Sequence, residues 1–278
     1  MSEDDLKPLV IGNWKMYVSR ETGSSMLAEL ATAPAMKDVE AVICPAFPFL
    51  SEAAAALPAS GIRLGAQNCS PESSGAHTGE VSAAMLADFG CKYVLIGHSE
   101  RRRMYGEGDH EISRKVAQAL EYGLTPVLCI GEDADQRRSN QTTKVLQTQL
   151  IKAAQLFSAT DWPRIAIAYE PIWAIGTATS ISVIQLAATI RTLRQLLEEM
   201  HTPGQGTIQR IIYGGSVDEK NAASLMIGAE IDGLLIGRAS IPTERFLQIC
   251  LEVSLAARIG AYVGHRATRA AASNGTEG

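Results

Sequence analysis

Short, continuously apolar runs alternate with longer amphipathic segments along most of the chain. The apolar runs lie at residues 8–13, 39–44, 62–66, 93–97, 126–130, 164–169, 208–213 and 233–236. Continuous apolarity over a short run is typical of parallel strands that are covered on both faces. The segments between them predict helices at residues 21–33, 51–57 (capped by Ser51), 81–89, 110–122, 140–157, 182–200, 218–227 and 243–257. Alternation of this kind predicts an α/β protein with a parallel sheet and right-handed crossovers.

The number of these units indicates how the sheet closes. Eight strand–helix units in about 250 residues favour a closed (β/α)8 barrel, the TIM barrel, over an open doubly wound sheet. No Gly-x-Gly-x-x-Gly pattern follows the first strand, which argues against a dinucleotide-binding fold. No change of composition marks a linker. We therefore expect one domain over residues 1–278, with its core at residues 8–257 and a frayed end at residues 267–278.

Composition narrows the classes of function. Apolar residues make up 46% and charged residues 20% of the chain, as in ordinary globular proteins. A net charge of −5 argues against nucleic acid as a partner, and no apolar run is long enough to span a membrane. The acidic start lacks a secretory signal, and the five cysteines are scattered (Cys44, Cys69, Cys91, Cys129 and Cys250). These features predict a cytoplasmic protein with reduced thiols and no metal site.

Glu170 is the first candidate for chemistry, because it ends the sixth strand. Pro171 stops the strand, since proline has no N–H to donate, and the apolar residues Trp173, Ala174 and Ile175 follow. An apolar segment that closes over a carboxylate excludes water and makes it a stronger base. A base of this kind can take a proton from carbon. A Glu-Pro pair in isolation is more often a solvated strand end. Whether Glu170 is a catalytic base therefore depends on the residues at the other strand ends.

Polar residues follow four further strands. They are Asn13 and Lys15 after the first strand, His98 and Glu100 after the fourth, Gly214-Gly215-Ser216 after the seventh, and Gly237-Arg238 after the eighth. Lys15 could stabilise a developing oxyanion, and glycine amides at helix starts could bind phosphate. His98 precedes Ser99, a good N-cap, so a helix N-terminus should keep its imidazole neutral. Each residue alone has an ordinary structural explanation, but the carboxyl ends of barrel strands meet at one face. Together they favour catalysis.

Four segments that carry these residues resemble the signatures of the triosephosphate isomerase family. They are Gly12-Asn13-Trp14-Lys15-Met16, Gly97-His98-Ser99-Glu100-Arg101-Arg102, Ala168-Tyr169-Glu170-Pro171-Ile172-Trp173-Ala174-Ile175-Gly176-Thr177 and Tyr213-Gly214-Gly215-Ser216. The similarity runs in order over residues 8–257. The family converts a ketose phosphate, dihydroxyacetone phosphate, into an aldose phosphate, D-glyceraldehyde 3-phosphate, through an enediol(ate).

The resemblance implies a role for each matching residue. Glu170 would be the base, His98 the electrophile and proton shuttle, and Lys15 the cation that stabilises the enediolate. A glutamate base beside a neutral histidine is already the known arrangement of this family. The remaining implied roles are orientation of the site by Asn13 and Glu100, phosphate binding by Gly176, Ser216, Gly237 and the amide of Arg238, and clamping of the glutamate by Ile175 and Leu235 when the lid shuts.

The resemblance also implies a homodimer and a reaction without metal or cofactor. In the family, the segment that corresponds to residues 67–80 inserts into a twin subunit, where the residue matching Thr78 reaches the neighbouring site. Here His77 replaces the usual aromatic residue at the tip of that loop.

Three positions depart from the family pattern. Arg238 replaces the second glycine after strand eight, the lid tip reads Thr177-Ala178-Thr179-Ser180, and Tyr17 stands where asparagine is common. The Arg238 amide could still face the phosphate, or its guanidinium could bind it in a bidentate way. Two alternatives therefore stay open: an isomerase of a four-carbon ketose phosphate such as an erythrulose phosphate, and a barrel that binds sugar phosphates without turning them over.

Overall fold

Eight parallel strands close into a barrel. The computed structural model describes residues 7–34, 36–175, 181–200 and 209–274, with side chains as far as residue 259. The strands are β1 (Leu9–Asn13), β2 (Glu40–Cys44), β3 (Arg63–Ala66), β4 (Tyr93–Ile96), β5 (Thr125–Ile130), β6 (Ala166–Tyr169), β7 (Ile211–Tyr213) and β8 (Gly233–Ile236). They pair in chain order, and β8 pairs with β1. The prediction of a (β/α)8 barrel is confirmed.

Helices surround the barrel. They are α1 (Arg20–Ala31), α2 (Leu50–Ala56), α3 (Ala83–Asp88), α4 (Ser99–Tyr105), α5 (Asp109–Glu121), α6 (Ala134–Arg138), α7 (Thr142–Ala153), α8 (Val183–Met200), α9 (Ala222–Ala229) and α10 (Thr243–Asn274). Their inner faces pack against the outward side chains of the strands in one large apolar cluster. None of the helices in the described ranges has the length and apolarity needed to cross a membrane.

Several helix boundaries differ from the predictions. The predicted helix 140–157 is α7, followed by a 3-10 turn at Ala154–Leu156, and the short helix α6 before it was not predicted. Asn140, with a left-handed φ of 54°, separates α6 from α7. Ser51 does not cap α2, which begins one residue earlier, directly after a 3-10 turn at Phe47–Phe49. Helix α4 was predicted only through a helix N-terminus at Ser99, without an end. α10 extends past the predicted end at 257 to Asn274, and the alanine-rich sequence of this segment favours helix.

The barrel interior determines which residues reach its carboxyl end. Side chains alternate between the two faces of a strand, and the second cluster of buried residues lies inside the barrel. Its members include Ile11 of β1, Ala168 of β6, Ile212 of β7 and Leu235 of β8. Two positions further along these strands lie Asn13, Glu170, Gly214 and Gly237. The alternation therefore directs four of the candidate positions towards the inside of the mouth.

Candidate active site

A cleft of about 430 Å³ opens at the carboxyl ends of the strands. The predicted site residues that line it are Asn13, Lys15, His98, Glu100, Glu170, Ile175, Ser216, Leu235, Gly237 and Arg238. Gly176 and the predicted lid tip lie outside the described residues. The structure thus brings every described member of the predicted site to one cleft, although these residues are far apart in the sequence.

The Glu170 carboxylate is buried and has a polar contact at each of its two oxygens. Its side chain is 2% exposed, and its Oε2 accepts a hydrogen bond of 2.9 Å from the backbone N–H of Ser99. Its Oε1 lies 3.2 Å from Nε2 of His98. Gly214 leaves the room for this arrangement, because a Cβ there would lie 2.9 Å from Cγ of Glu170. The carboxylate is therefore fixed at the base of the cleft.

His98 is oriented by the start of α4. Its Nδ1 accepts a hydrogen bond of 3.2 Å from the N–H of Glu100, so the proton of a neutral ring lies on Nε2. This Nε2 faces Oε1 of Glu170 at 3.2 Å, and His98 lines the cleft, where its Nε2–H can donate to an oxygen. The prediction of Ser99 as the N-cap is wrong: His98 itself is the N-cap, and Ser99 offers its amide to Glu170 instead.

Lys15 has an unusual backbone conformation. Its φ is 50°, in the left-handed region that non-glycine residues rarely adopt. Its N–H donates to Oδ1 of Asn13 at 3.0 Å, and Nε2 of Gln67 donates to its carbonyl at 3.0 Å. Its Nζ lies 2.5 Å from Oε1 of Glu100. Gln67 was missed as a site residue, because only the folded structure places it beside Lys15.

The Lys15 ammonium also affects Glu100. Burial alone would raise the pKa of this carboxyl, but the hydrogen bond and positive charge of Lys15 outweigh burial and hold the pKa below its usual value. Glu100 is therefore ionised at neutral pH, and the two side chains form a charged pair beside His98.

Small residues and free amides follow β7 and β8. A 3-10 turn at Arg238–Ser240 comes directly after Gly237, and the N–H of Arg238 donates to no carbonyl of the described residues. A Cβ on Gly237 would lie 3.4 Å from Cε of Lys15. α9 begins at Ala222, four residues after the predicted start at 218, and α10 begins at Thr243 as predicted, so both helix starts lie beyond these amides. The two turns can still bind an anion through their N–H groups.

The segment after Glu170 is anchored away from the cleft. The indole N–H of Trp173 donates to Oε1 of Glu132 at 3.0 Å, and the hydroxyl of Tyr169 contacts the same carboxylate at 3.1 Å. Trp173 was expected to fold over Glu170. In the structure Ile172 and Ile175 line the cleft instead, so they supply the apolar wall on this side.

Comparisons with known proteins agree with this geometry. The family model described as triosephosphate isomerase matches residues 8–253. A protein of Thiobacillus denitrificans named triosephosphate isomerase is 45% identical over 245 residues, covering 88% of this chain and 97% of that relative. Relatives of the same name from Bordetella pertussis and Symbiobacterium thermophilum are 44% and 42% identical, each covering 87% of this chain and 95% of the relative. The chain belongs to the triosephosphate isomerase family.

Proposed function

We propose that the chain interconverts dihydroxyacetone phosphate and D-glyceraldehyde 3-phosphate. The observation that carries the proposal is the contact of 3.2 Å between His98 Nε2 and the buried Glu170 carboxylate, beside the Lys15 ammonium. A base, a neutral hydrogen-bond donor and a fixed cation in one cleft suit proton transfer next to a carbonyl group.

The proposed reaction begins at the carbon next to the carbonyl of the ketose. Glu170 takes a proton from this carbon, and the electrons of the C–H bond form the carbon–carbon double bond of the enediolate. His98 donates its Nε2–H to the carbonyl oxygen, where negative charge develops, and Lys15 stabilises that charge. His98 then carries a proton from the hydroxyl of the first carbon to the former carbonyl oxygen, so the first oxygen becomes the aldehyde and the second a hydroxyl. Glu170 returns its proton to the former carbonyl carbon, which gives the aldose and restores both side chains. Neither a metal nor a cofactor has a role in these steps.

Glu170 has to move before it can act. Its carboxylate is bound to the Ser99 amide, so the base reaches a substrate carbon only when this hydrogen bond breaks. A carbonyl oxygen that takes the Nε2–H of His98 removes the second contact of the carboxylate. Substrate binding thus favours release of the base into the cleft.

The remaining predicted residues have binding and positioning roles in this proposal. Ser216, Gly237, the amide of Arg238 and Gly176 bind the phosphate. Ile175 and Leu235 form the apolar surfaces on either side of the catalytic carboxylate. Asn13 and Glu100 position Lys15, which the contacts of both with Lys15 support.

A four-carbon ketose phosphate is the second candidate substrate. Arg238 favours it, because a long cationic side chain lines the cleft where the family usually has glycine. We assign the triose phosphate first, since relatives at 42% to 45% identity carry that name.

Steady-state turnover with both substrates tests this proposal. The expected result is a larger kcat/KM for glyceraldehyde 3-phosphate than for an erythrulose phosphate. Reaction in deuterium oxide should place deuterium on carbon. A much larger kcat/KM for the four-carbon sugar would assign the second substrate. Binding of 2-phosphoglycolate without turnover of either sugar would leave a barrel that only binds sugar phosphates.

We also propose a cytoplasmic homodimer that works in glycolysis. The loop at residues 67–80 projects from the barrel with an exposed tip. Large apolar side chains are exposed on the segments that follow β1 and β4, including Met16 at 93%, Met104 at 61% and Tyr105 at 70%. Burial of such side chains against a second copy would stabilise a dimer. Sedimentation equilibrium measures the mass, and a monomer at micromolar concentration would contradict this assignment.

A further inference from the structure

We propose that the Arg238 guanidinium binds the phosphate of the substrate and that Tyr17 positions it for this contact. The inference rests on the proposed function for its ligand, a phosphate monoester. It concerns the side chain of Arg238, beyond the backbone amide already assigned to the phosphate site.

The first support is the place of Arg238 in the fold. It opens the 3-10 turn after β8, next to Gly237, and its side chain lines the cleft. Its backbone is outside the left-handed region, so an arginine occupies this position without strain. The Arg238 side chain therefore begins beside the backbone amides proposed to bind the phosphate. An arginine side chain is long enough to place its guanidinium next to the same phosphate.

The second support is the contact with Tyr17. The guanidinium carbon of Arg238 lies 5.8 Å from the centre of the Tyr17 ring. A guanidinium that rests on an aromatic face keeps its N–H groups free at its edge, where they can donate to phosphate oxygens. Tyr17 would thus reduce the rotamer freedom of a long side chain without using its donors.

The third support is charge. Lys15, the other cation next to Gly237, is paired with Glu100 at 2.5 Å. In the described part of the chain, no carboxylate lies close enough to Arg238 to form an ion pair with it. An unpaired guanidinium at the edge of an amide-lined turn is suited to a dianion, which it can bind with two parallel hydrogen bonds.

Arg103 provides a matched control. It also lines the cleft and carries the same charge, but it belongs to α4, which follows β4. In a barrel of eight strands, β4 lies opposite β8. Removal of Arg103 changes the net charge of the cleft as much as removal of Arg238 does, but on the side away from the proposed phosphate site.

Calorimetric titration of the full-length protein with inorganic phosphate and with 2-phosphoglycolate tests the inference. Arg238→Ala, which keeps the backbone amide, should weaken binding of both ligands about tenfold or more, as for loss of a charge-assisted contact. Arg238→Lys should recover only part of this loss, because lysine lacks the planar fork. Arg103→Ala should change either affinity less than about threefold, as expected of a screened charge.

Variants of Tyr17 test its positioning role. Tyr17→Phe keeps an aromatic face and should bind both ligands like the unmodified protein, whereas Tyr17→Leu should weaken binding about two- to fivefold. In the Arg238→Ala background, Tyr17→Leu should have no further effect, since its partner is gone. Equal losses from Tyr17→Leu with and without Arg238 would show that Tyr17 does not act through the arginine.

Two results would overturn the assignment of Arg238. If Arg238→Ala binds both ligands within twofold of the unmodified protein, the guanidinium does not contact the phosphate. If it weakens 2-phosphoglycolate but not inorganic phosphate, Arg238 recognises another part of the ligand. Both measurements are independent of turnover, so absence of isomerase activity would refute the proposed function and leave this test intact.

Discussion

Replacement of Gly214 by alanine tests how closely the barrel positions the proposed base. The new Cβ would lie 2.9 Å from Cγ of Glu170 and 3.4 Å from its Oε1, with Cδ2 of Leu235 also at 3.4 Å. Since carbon atoms pack best at about 3.5–4.0 Å, the glutamate side chain has to shift by about 0.6–1 Å. The backbone itself accepts alanine, because Gly214 is not among the residues with positive φ.

The size of that shift sets the expected loss of activity. The added methyl group crowds Glu170 at the start of its movement from the Ser99 amide to the substrate. Displacement of a reacting group by 1 Å costs about 100-fold in rate, so we expect kcat to fall about 10- to 100-fold if the crowding persists at the substrate. KM should change little, because Gly214 faces the carboxylate. Overpacking of this kind costs about 1–3 kcal/mol of stability, which leaves a protein of ordinary stability folded at room temperature.

The assay is steady-state isomerisation of glyceraldehyde 3-phosphate, with circular dichroism to confirm the fold. Gly108→Ala is the control. The φ of −90° at Gly108 suits alanine, and no atom lies within 4 Å of the Cβ that the substitution adds. A folded Gly214→Ala protein with kcat within threefold of the unmodified protein would refute the reasoning. Either Glu170 would not be the base, or this contact would not set its position.

Three further predictions concern the proposed base, a buried ion pair and the buried cysteines. Glu170→Asp should lower kcat by about 100-fold or more with little change in KM, because the carboxylate retracts from the substrate carbon. Glu107→Gln should reduce the free energy of unfolding by about 3 kcal/mol at pH 7, because the buried Lys115 ammonium, 2.9 Å away, loses a charged partner. The five buried, free cysteines should resist a thiol reagent until the protein unfolds, and burial raises the pKa of Cys69 and Cys91 to about 12.

The effect of Glu107→Gln should depend on pH in one direction. Burial tends to raise the pKa of Glu107, but hydrogen bonds from Lys115 and Arg101 outweigh burial and lower it. A lowered folded-state pKa stabilises the protein above the ordinary glutamate value of about 4.3, and this stability is lost as pH falls through the folded-state value. Urea unfolding should therefore show the full difference between the two proteins at pH 7 and a smaller one below about pH 4. A difference that grows on acidification would contradict this.

The other two predictions have simple controls. Unchanged kcat in Glu170→Asp would remove this residue from the role of base, and Glu121→Asp, at an exposed carboxylate outside the cleft, should leave kcat unchanged. For the cysteines, the number of thiols that react is measured in native buffer and in denaturant. Rapid labelling of any cysteine in the native protein would show that the barrel opens more readily than its packing implies.

The strands were predictable because their sequence pattern directly reflects their burial. β8 was predicted to the residue, and β1 to within one residue, since every side chain of both is buried. The extent of helix α4 was not predicted: its seven residues are mostly charged, and a segment that short carries no clear periodicity. Asn140 was read as the start of a helix, but asparagine also favours the left-handed conformation that ends one.

For the candidate site too, the positions of the residues could be predicted from the sequence, but their contacts could not. The strand ends could be located in the sequence, so Glu170, His98 and Lys15 were expected at one face. The contact between the Ser99 amide and Glu170 could not be predicted, because it joins residues 71 positions apart through the barrel mouth. Gln67 was likewise read only as the start of a loop. Sequence pattern predicts which residues reach the mouth, while packing decides which of them touch.

The contacts of Gln67 explain how a lysine can serve as a fixed cation. A left-handed φ on a non-glycine residue costs about 1–3 kcal/mol and persists only where the surroundings enforce it. At Lys15 they do so from both sides of the residue, since Asn13 binds its N–H and Gln67 its carbonyl. Glu100 then holds the far end of the side chain, which would otherwise sample many rotamers. The Lys15 ammonium is therefore ordered before a ligand binds. The binding free energy of a negatively charged ligand is then not reduced by the entropy of ordering this side chain.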